Sequence, residues 1–186
     1  MNAREAIAAR RSVKQFTDRE VGGAEIEALL EAAVLAPNHR LTQPWHFYVL
    51  GPESRRAYGL ALAERKARKM EDADAAERVR QKVSHEHASL PAMIAVTTRQ
   101  DENPEIREED YAAVMMAVQN LCVAAVQMGL GTHIKTGAVM DDPAARAAAG
   151  VPDGERIVAI VNVGEPAELP APKARTSAVS LTTWLD

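Results

Sequence analysis

The stretch "IREEDYAAVMMAVQNLCVAAVQMGLG", from Ile106 to Gly131, limits the fold more than any other part of the chain. Its first turns are polar. After them it is apolar nearly all round, so the spacing predicts a long helix buried on most sides. Gly129 and Gly131 mark its end. The other elements must therefore wrap around it. The chain has 186 residues, 47% of them hydrophobic and 26% charged, enough for one sizeable core, and it reads as one domain over 1–186.

Three short runs read as strands: "WHFYVL" from Trp45, "AMIAVTT" from Ala92 and "RIVAIVNVG" from Arg156. Several more helices surround the long one. Asn2 can cap the first, which carries Ile7 and ends near Arg11. "AEIEALLEAAVLA" places Ile26, Leu29, Leu30, Ala33 and Val34 at helical spacing until Pro37 stops it. Pro52 begins another, through Tyr58, Leu60 and Leu62. "DDPAARAAAG" is a short helix capped by Asp141 or Asp142, with Pro143 in its first turn. "NHRLTQP" and "THIKTGAV" read as connectors. The class is α+β, a small sheet against several helices.

Glu64 to Glu86 is too dense in charge to fill a core. It reads as a solvated helical pair, with mobility, or as a cover over a site. The last stretch, "EPAELPAPKARTSAVSLTTWLD", is proline-rich and extended, and Trp184 and Leu185 need apolar cover from elsewhere, such as a second subunit.

Composition excludes several functions. Formal net charge is −4, so any anion site must be local and no general nucleic-acid affinity follows. The one cysteine, Cys122, sits in an apolar helical run and reads as a packing thiol. "MNAREAIAARR" has charges inside its apolar pattern, unlike a secretion signal, and no apolar run reaches the roughly 20 residues of a membrane span. A cytoplasmic location is the simplest expectation. There is no G-x-G-x-x-G, no Walker A loop and no serine in a nucleophile-elbow context. "HEH", His85 to His87, is spaced too closely for one helical face to hold a metal well.

Four polar clusters remain. "AARRSVKQF" sets Arg10, Arg11 and Ser12 at a helix end, with Lys14 following. Arginine forks with a hydroxyl suit a phosphate dianion, but arginines there also answer the helix dipole. Lys173 and Arg175 in "APKART" form a second cationic pair, either solvated or wrapped back onto the same anion. Asn38, His39, Thr42 and Gln43 lie between a helix end and a strand, where ligand sites and ordinary turns both occur. Lys135, Thr136 and Gly137 follow the long helix, and the glycine allows close approach of a flat ligand or a simple turn.

Taken in order, "RRSVKQF", "APNH…QPWHF", "IKTG", "VNVGEP" and "KAR" resemble the FMN-dependent nitroreductase family, its small single-domain members above all. The resemblance spans nearly the whole chain. It implies the nitroreductase-like α+β fold, a mostly antiparallel sheet, and an intertwined homodimer with the C-terminal tail exchanged. It also implies FMN as cofactor and NAD(P)H as electron donor. Arg10, Arg11, Ser12, Lys173 and Arg175 would cage the FMN phosphate, and Lys14 would face the pyrimidine edge of the flavin. Ile134, Lys135, Thr136 and Gly137 would border the ring, with the Thr136 N–H toward the hydride-accepting nitrogen. Pro37, Asn38, His39 and Gln43 would reach the flavin of the partner subunit. No side chain need be catalytic, since the flavin carries the chemistry.

The sequence departs from the family at Leu41, where many members have asparagine. It departs again at Ile134 and Lys135, where small members often carry an aromatic residue and arginine. Other readings stay open: a non-catalytic flavin-binding or sensing module, a flavin destructase or dehalogenase on the same fold, and a structural domain with solvated cations.

Overall fold

The structure, a computed structural model, describes residues 1–186. Six helices and four strands follow in the order α1 (Ala3–Ala9), α2 (Gly23–Val34), β1 (Trp45–Val49), α3 (Pro52–Ala67), α4 (Ala73–Ala88), β2 (Ala92–Arg99), α5 (Pro104–Gln127), β3 (Gly131–Lys135), α6 (Pro143–Ala148) and β4 (Glu155–Gly164). The sheet has strand order β1-β2-β4-β3 and every pairing is antiparallel.

β4 is central, and its residues from Ile157 to Gly164 are all buried. That explains its nearly unbroken apolar run, because both faces of the sheet are covered. One face carries α5 and α2, through Leu29, Val114, Val118 and Leu121 against Ile94, Val96, Val161 and Val163. The other carries α3 and α6, through Tyr58, Ala61, Ala145 and Ala149 against Met93, Ala95, Ile157 and Ile160. Asn103 caps α5, its side chain accepting from the Glu105 N–H, and Asp142 rather than Asp141 caps α6.

The sequence reading needs two corrections. The connector after the long helix contains a strand, β3, which pairs from Gly131↔Gly164 to Lys135↔Ile160. Five residues mixing a glycine, a histidine and a lysine carry little strand signal. They pair because β4 offers them an edge. The first helix ends at Ala9, before the arginines, and Arg10 is already extended with ψ 129°. The long helix is buried on most sides, as expected, and keeps one exposed stripe at Tyr111, Ala112, Met116 and Gln119.

The charged run forms the last turn of α3 and most of α4, and the two helices pack against each other. Small buried residues, Ala61, Ala63, Ala67 and Ala76, let them approach. Arg80 and Glu64 join them across 2.8 Å. Gly59 is required here: a Cβ on it would lie 2.7 Å from that of His87. From Ala167 to Asp186 every residue is exposed, Trp184 and Leu185 most of all.

Candidate functional site

The chain from Ser12 to Thr17 runs along the free edge of β3 and then meets the start of the tail. Val13 N–H donates to the Thr132 carbonyl at 2.9 Å, Thr17 N–H to Glu165 at 2.9 Å, and Ala167 N–H to Gln15 at 3.0 Å. These bonds turn the tail back toward α1. As a result Arg10, Arg11, Ser12, Lys14, Lys173 and Arg175 line one cavity of about 790 Å³. Five cations stand there against one carboxylate, Glu168. The arginines differ in role. Arg11 donates to the carbonyls of Ala8 at 2.7 Å and Arg10 at 2.9 Å, so it partly serves the end of α1. The Arg10, Lys14 and Lys173 side chains are not engaged in this way and face the cavity.

Lys14 also lines a second cavity of about 550 Å³, with Lys135, His133 and Asn162 from the sheet and His85 and His87 from the end of α4. Both cavities have volumes usual for small-molecule sites. Lys135 is half-buried, and burial pushes its ammonium below the ordinary lysine value, with Lys66 adding and Glu86 opposing. His133 is lowered likewise, first by burial and then by Lys135 and Lys14. Burial also lowers His87, although the Val83 carbonyl it binds opposes the shift. Burial so placed disfavours the charged form of either ring.

Pro37, Asn38, His39 and Gln43 line neither cavity. They belong to a single 3-10 turn and its flanks, fastened to the first turns of α5. Thr42 Oγ1 donates to the buried Asp110 Oδ1 at 2.5 Å, Asn38 Nδ2 donates to Thr42 Oγ1 at 3.1 Å, and the Gln43 N–H donates to Asn38 Oδ1 at 2.7 Å. His39 Nδ1 lies 3.0 Å from Glu109 Oε1, and Arg40 Nε lies 3.1 Å from Glu109 Oε2. Within this segment Arg40, Leu41 and Gln43 all have positive φ, at 65°, 52° and 44°. Three non-glycine residues in that region are strained backbone, and such strain persists only where surrounding contacts hold it.

Ile134 points into the α5 side of the core rather than into a cavity. Thr136 and Gly137 are exposed just past β3, and Gly137 has φ 137°, a conformation that suits glycine alone. The sequence reading missed His85, His87, His133, Asn162 and Asp110. "HEH" was visible but was judged against metal spacing. Asn162 lay inside a strand pattern, where nothing in the sequence marks a polar residue as lining a cavity.

The Nitroreductase family profile matches residues 7–165. The chain belongs to that family. Among nitroreductase-family relatives, the Bacillus subtilis (strain 168) protein named "Putative NAD(P)H nitroreductase YfhC" is 35% identical over 173 residues, covering 93% of this chain and 89% of that protein. The crystal structure of a nitroreductase-like family protein from Bacillus cereus matches with TM-score 0.86 and 29% identity, covering 100% of this chain and 97% of the other. The FMN and NADPH-dependent nitroreductase NfnB from sphigopyxis sp. strain HMH matches with TM-score 0.79 and 22% identity over 100% of both chains, a likeness of fold. This nitroreductase-family chain has no helix long and apolar enough to cross a membrane.

Proposed function

We propose that the protein is an FMN-dependent oxidoreductase that takes electrons from NAD(P)H and passes them to nitroaromatic, quinone or related acceptors in a ping-pong cycle. The observation that carries this reading is the cationic cavity closed by the tail, opening past Lys14 into a second cavity. Arginine and lysine donors with a serine hydroxyl fit a phosphate, and the neighbouring space of about 550 Å³ has room for a ring. NfnB, with the same fold, is FMN and NADPH-dependent.

FMN, when bound, supplies the hydride-accepting and hydride-donating chemistry. The residues of the chain do the rest. Arg10, Ser12, Lys173 and Arg175 would hold the phosphate, with Arg11 beside them. Lys14 and Lys135, which line the second cavity, would favour extra negative charge on a ring bound there, which would lower the cost of reduction. No side chain is needed as acid or base, because solvent can supply protons. The end of α4 walls the second cavity through His85, Glu86 and His87, and this charged helix, with α3 packed against it, would bound which acceptors enter.

We further propose that residues 1–186 act as one domain in a cytoplasmic homodimer. The tail, exposed from Ala167 onward, would embrace the second subunit, and the strained turn at Pro37, Asn38, His39 and Gln43 would reach the partner's flavin. Exposed Leu35, Leu41, Met116 and Trp184 support such a contact.

The test is the visible spectrum of the purified protein, with the released cofactor identified. About one FMN per chain is expected, bleached by NADPH or NADH, with turnover when a quinone or nitroarene is added. A colourless protein that takes up no added FMN would sink the proposal, and bound FMN without NAD(P)H oxidation would leave a binding module.

A further inference from the structure

A third cavity, of about 490 Å³, lies at the end of the sheet away from the second one. Gln100 just past β2, Arg156 at the start of β4 and the first turns of α5 line it, and buried Thr98 closes its inner end. Along β4, Arg156 of this cavity and Asn162 of the second stand about 20 Å apart.

The two arginines of the third cavity are unspent. Arg156 lies over the Tyr111 ring, 5.4 Å from its centroid, and its guanidinium has no hydrogen bond within the chain. Arg107 Nη1 donates to the carbonyls of Asp101 at 2.6 Å and Glu102 at 2.9 Å, which fixes the side chain and leaves Nε and Nη2 free. Neither arginine forms an ion pair, although residues 101–110 hold six carboxylates. Three of those are committed elsewhere: Glu105 and Glu109 to Arg40, and Asp110 to Thr42. Glu108 lines the cavity without pairing to either guanidinium.

The charge balance restricts what can bind. Two guanidiniums against Glu108 leave one positive charge in the lining, which suits a monoanion. The other carboxylates of 101–110 raise the cost of bringing in a phosphate dianion or a dinucleotide. A guanidinium fork takes a carboxylate at two points. The Tyr111 and Pro104 rings offer flat apolar surface beside those donors.

We propose that the third cavity binds an aromatic monocarboxylate, with Arg156 and Arg107 on the carboxylate and Tyr111 and Pro104 against the ring. It shares no lining residue with the cationic cavity at Arg10 or with the second cavity. The inference goes beyond the FMN reading and does not depend on it.

The experiment is an NMR titration of the whole chain with benzoate, benzamide and acetate, followed through backbone amide signals. Benzoate should shift the signals of Gln100, Arg107, Tyr111 and Arg156 saturably. Benzamide, the ring without the charge, should bind at least about tenfold more weakly, and acetate, the charge without the ring, at least about fivefold. Arg156→Gln should weaken benzoate at least about tenfold. Because Arg156 is exposed and unpaired, that variant should melt as the wild type does. Tyr111→Leu should weaken benzoate and leave acetate unchanged, and added FMN should not displace benzoate from these signals.

Benzoate shifts confined to Arg10, Lys14 and Lys173 would overturn the inference. So would benzamide or acetate binding as tightly as benzoate, displacement by FMN, or an Arg156→Gln variant that binds benzoate as the wild type does. FMN uptake with no benzoate shift up to about 10 mM would overturn this inference alone. Benzoate bound at Arg156 in a protein that takes up no FMN would refute the FMN reading and uphold the third cavity.

Discussion

Thr42→Val tests how the strained turn is held. The turn carries Arg40, Leu41 and Gln43 at positive φ, and each costs roughly 1–2 kcal/mol, so the segment stores about 3 kcal/mol or more. Valine keeps the shape of threonine and removes its hydroxyl. That deletes the donor to Asp110 Oδ1 at 2.5 Å and the acceptor used by Asn38 Nδ2 at 3.1 Å. Asp110 is 4% exposed, and Thr42 is the donor to its side chain. A hydrogen bond to a charged group is worth about 1.5–3 kcal/mol, and an abandoned buried carboxylate adds to the loss. The expected destabilisation is about 2–4 kcal/mol, or roughly 5–15 °C in melting temperature for a chain of this size. Thr42→Ser retains the hydroxyl and should stay within about 1 kcal/mol of wild type. Amide exchange supplies the local readout: the Gln43 N–H, bonded to Asn38 Oδ1, should exchange faster in the valine variant. A valine variant that melts within about 1 °C of wild type, with exchange across 38–43 unchanged, would refute the idea that Asp110 anchors the turn.

Other outcomes follow from other parts of the structure. Arg10→Ala and Lys173→Ala should each weaken FMN binding about 10–100-fold by removing a charge-assisted contact, yet leave riboflavin, which has no phosphate, nearly unaffected in a fluorescence titration. Burial alone would raise Glu155, but hydrogen bonds from Thr97, His46 and Tyr48 outweigh it and its carboxyl lies below the ordinary range. Its folded value is therefore below its unfolded one, so its stabilisation is present above about pH 5 and is lost as the pH falls through the carboxylate range. A melting curve series against pH should show a shallower acid limb for Glu155→Gln. Deleting residues 167–186 should convert a dimer to a monomer in sedimentation and release FMN; an unchanged sedimentation coefficient per subunit mass would count against tail exchange.

What the sequence made legible was set by pattern length and by whether a residue's role is local. α5 is 24 residues of strong pattern, so its existence and place at the centre were readable, whereas its exposed stripe was not, since Met116 is as apolar as its buried neighbours. β3 was missed because pairing to β4, not the propensity of Gly131–Lys135, makes it a strand. The cationic cavity was legible because arginine, serine and lysine cluster within five positions, and because "KAR" repeats the chemistry in a tail otherwise poor in charge. That the tail folds back depends on backbone bonds at Gln15 and Thr17, which leave no mark in residue type. Asn162 and His87 mark the limit. One lies in a strand and the other in a helix, and each matters only because α4 and β4 are brought to the same cavity. Sequence patterns report which face of an element is apolar. They do not report a polar atom left unpaired where two elements meet, as at His87 Nε2 and Asn162 Oδ1.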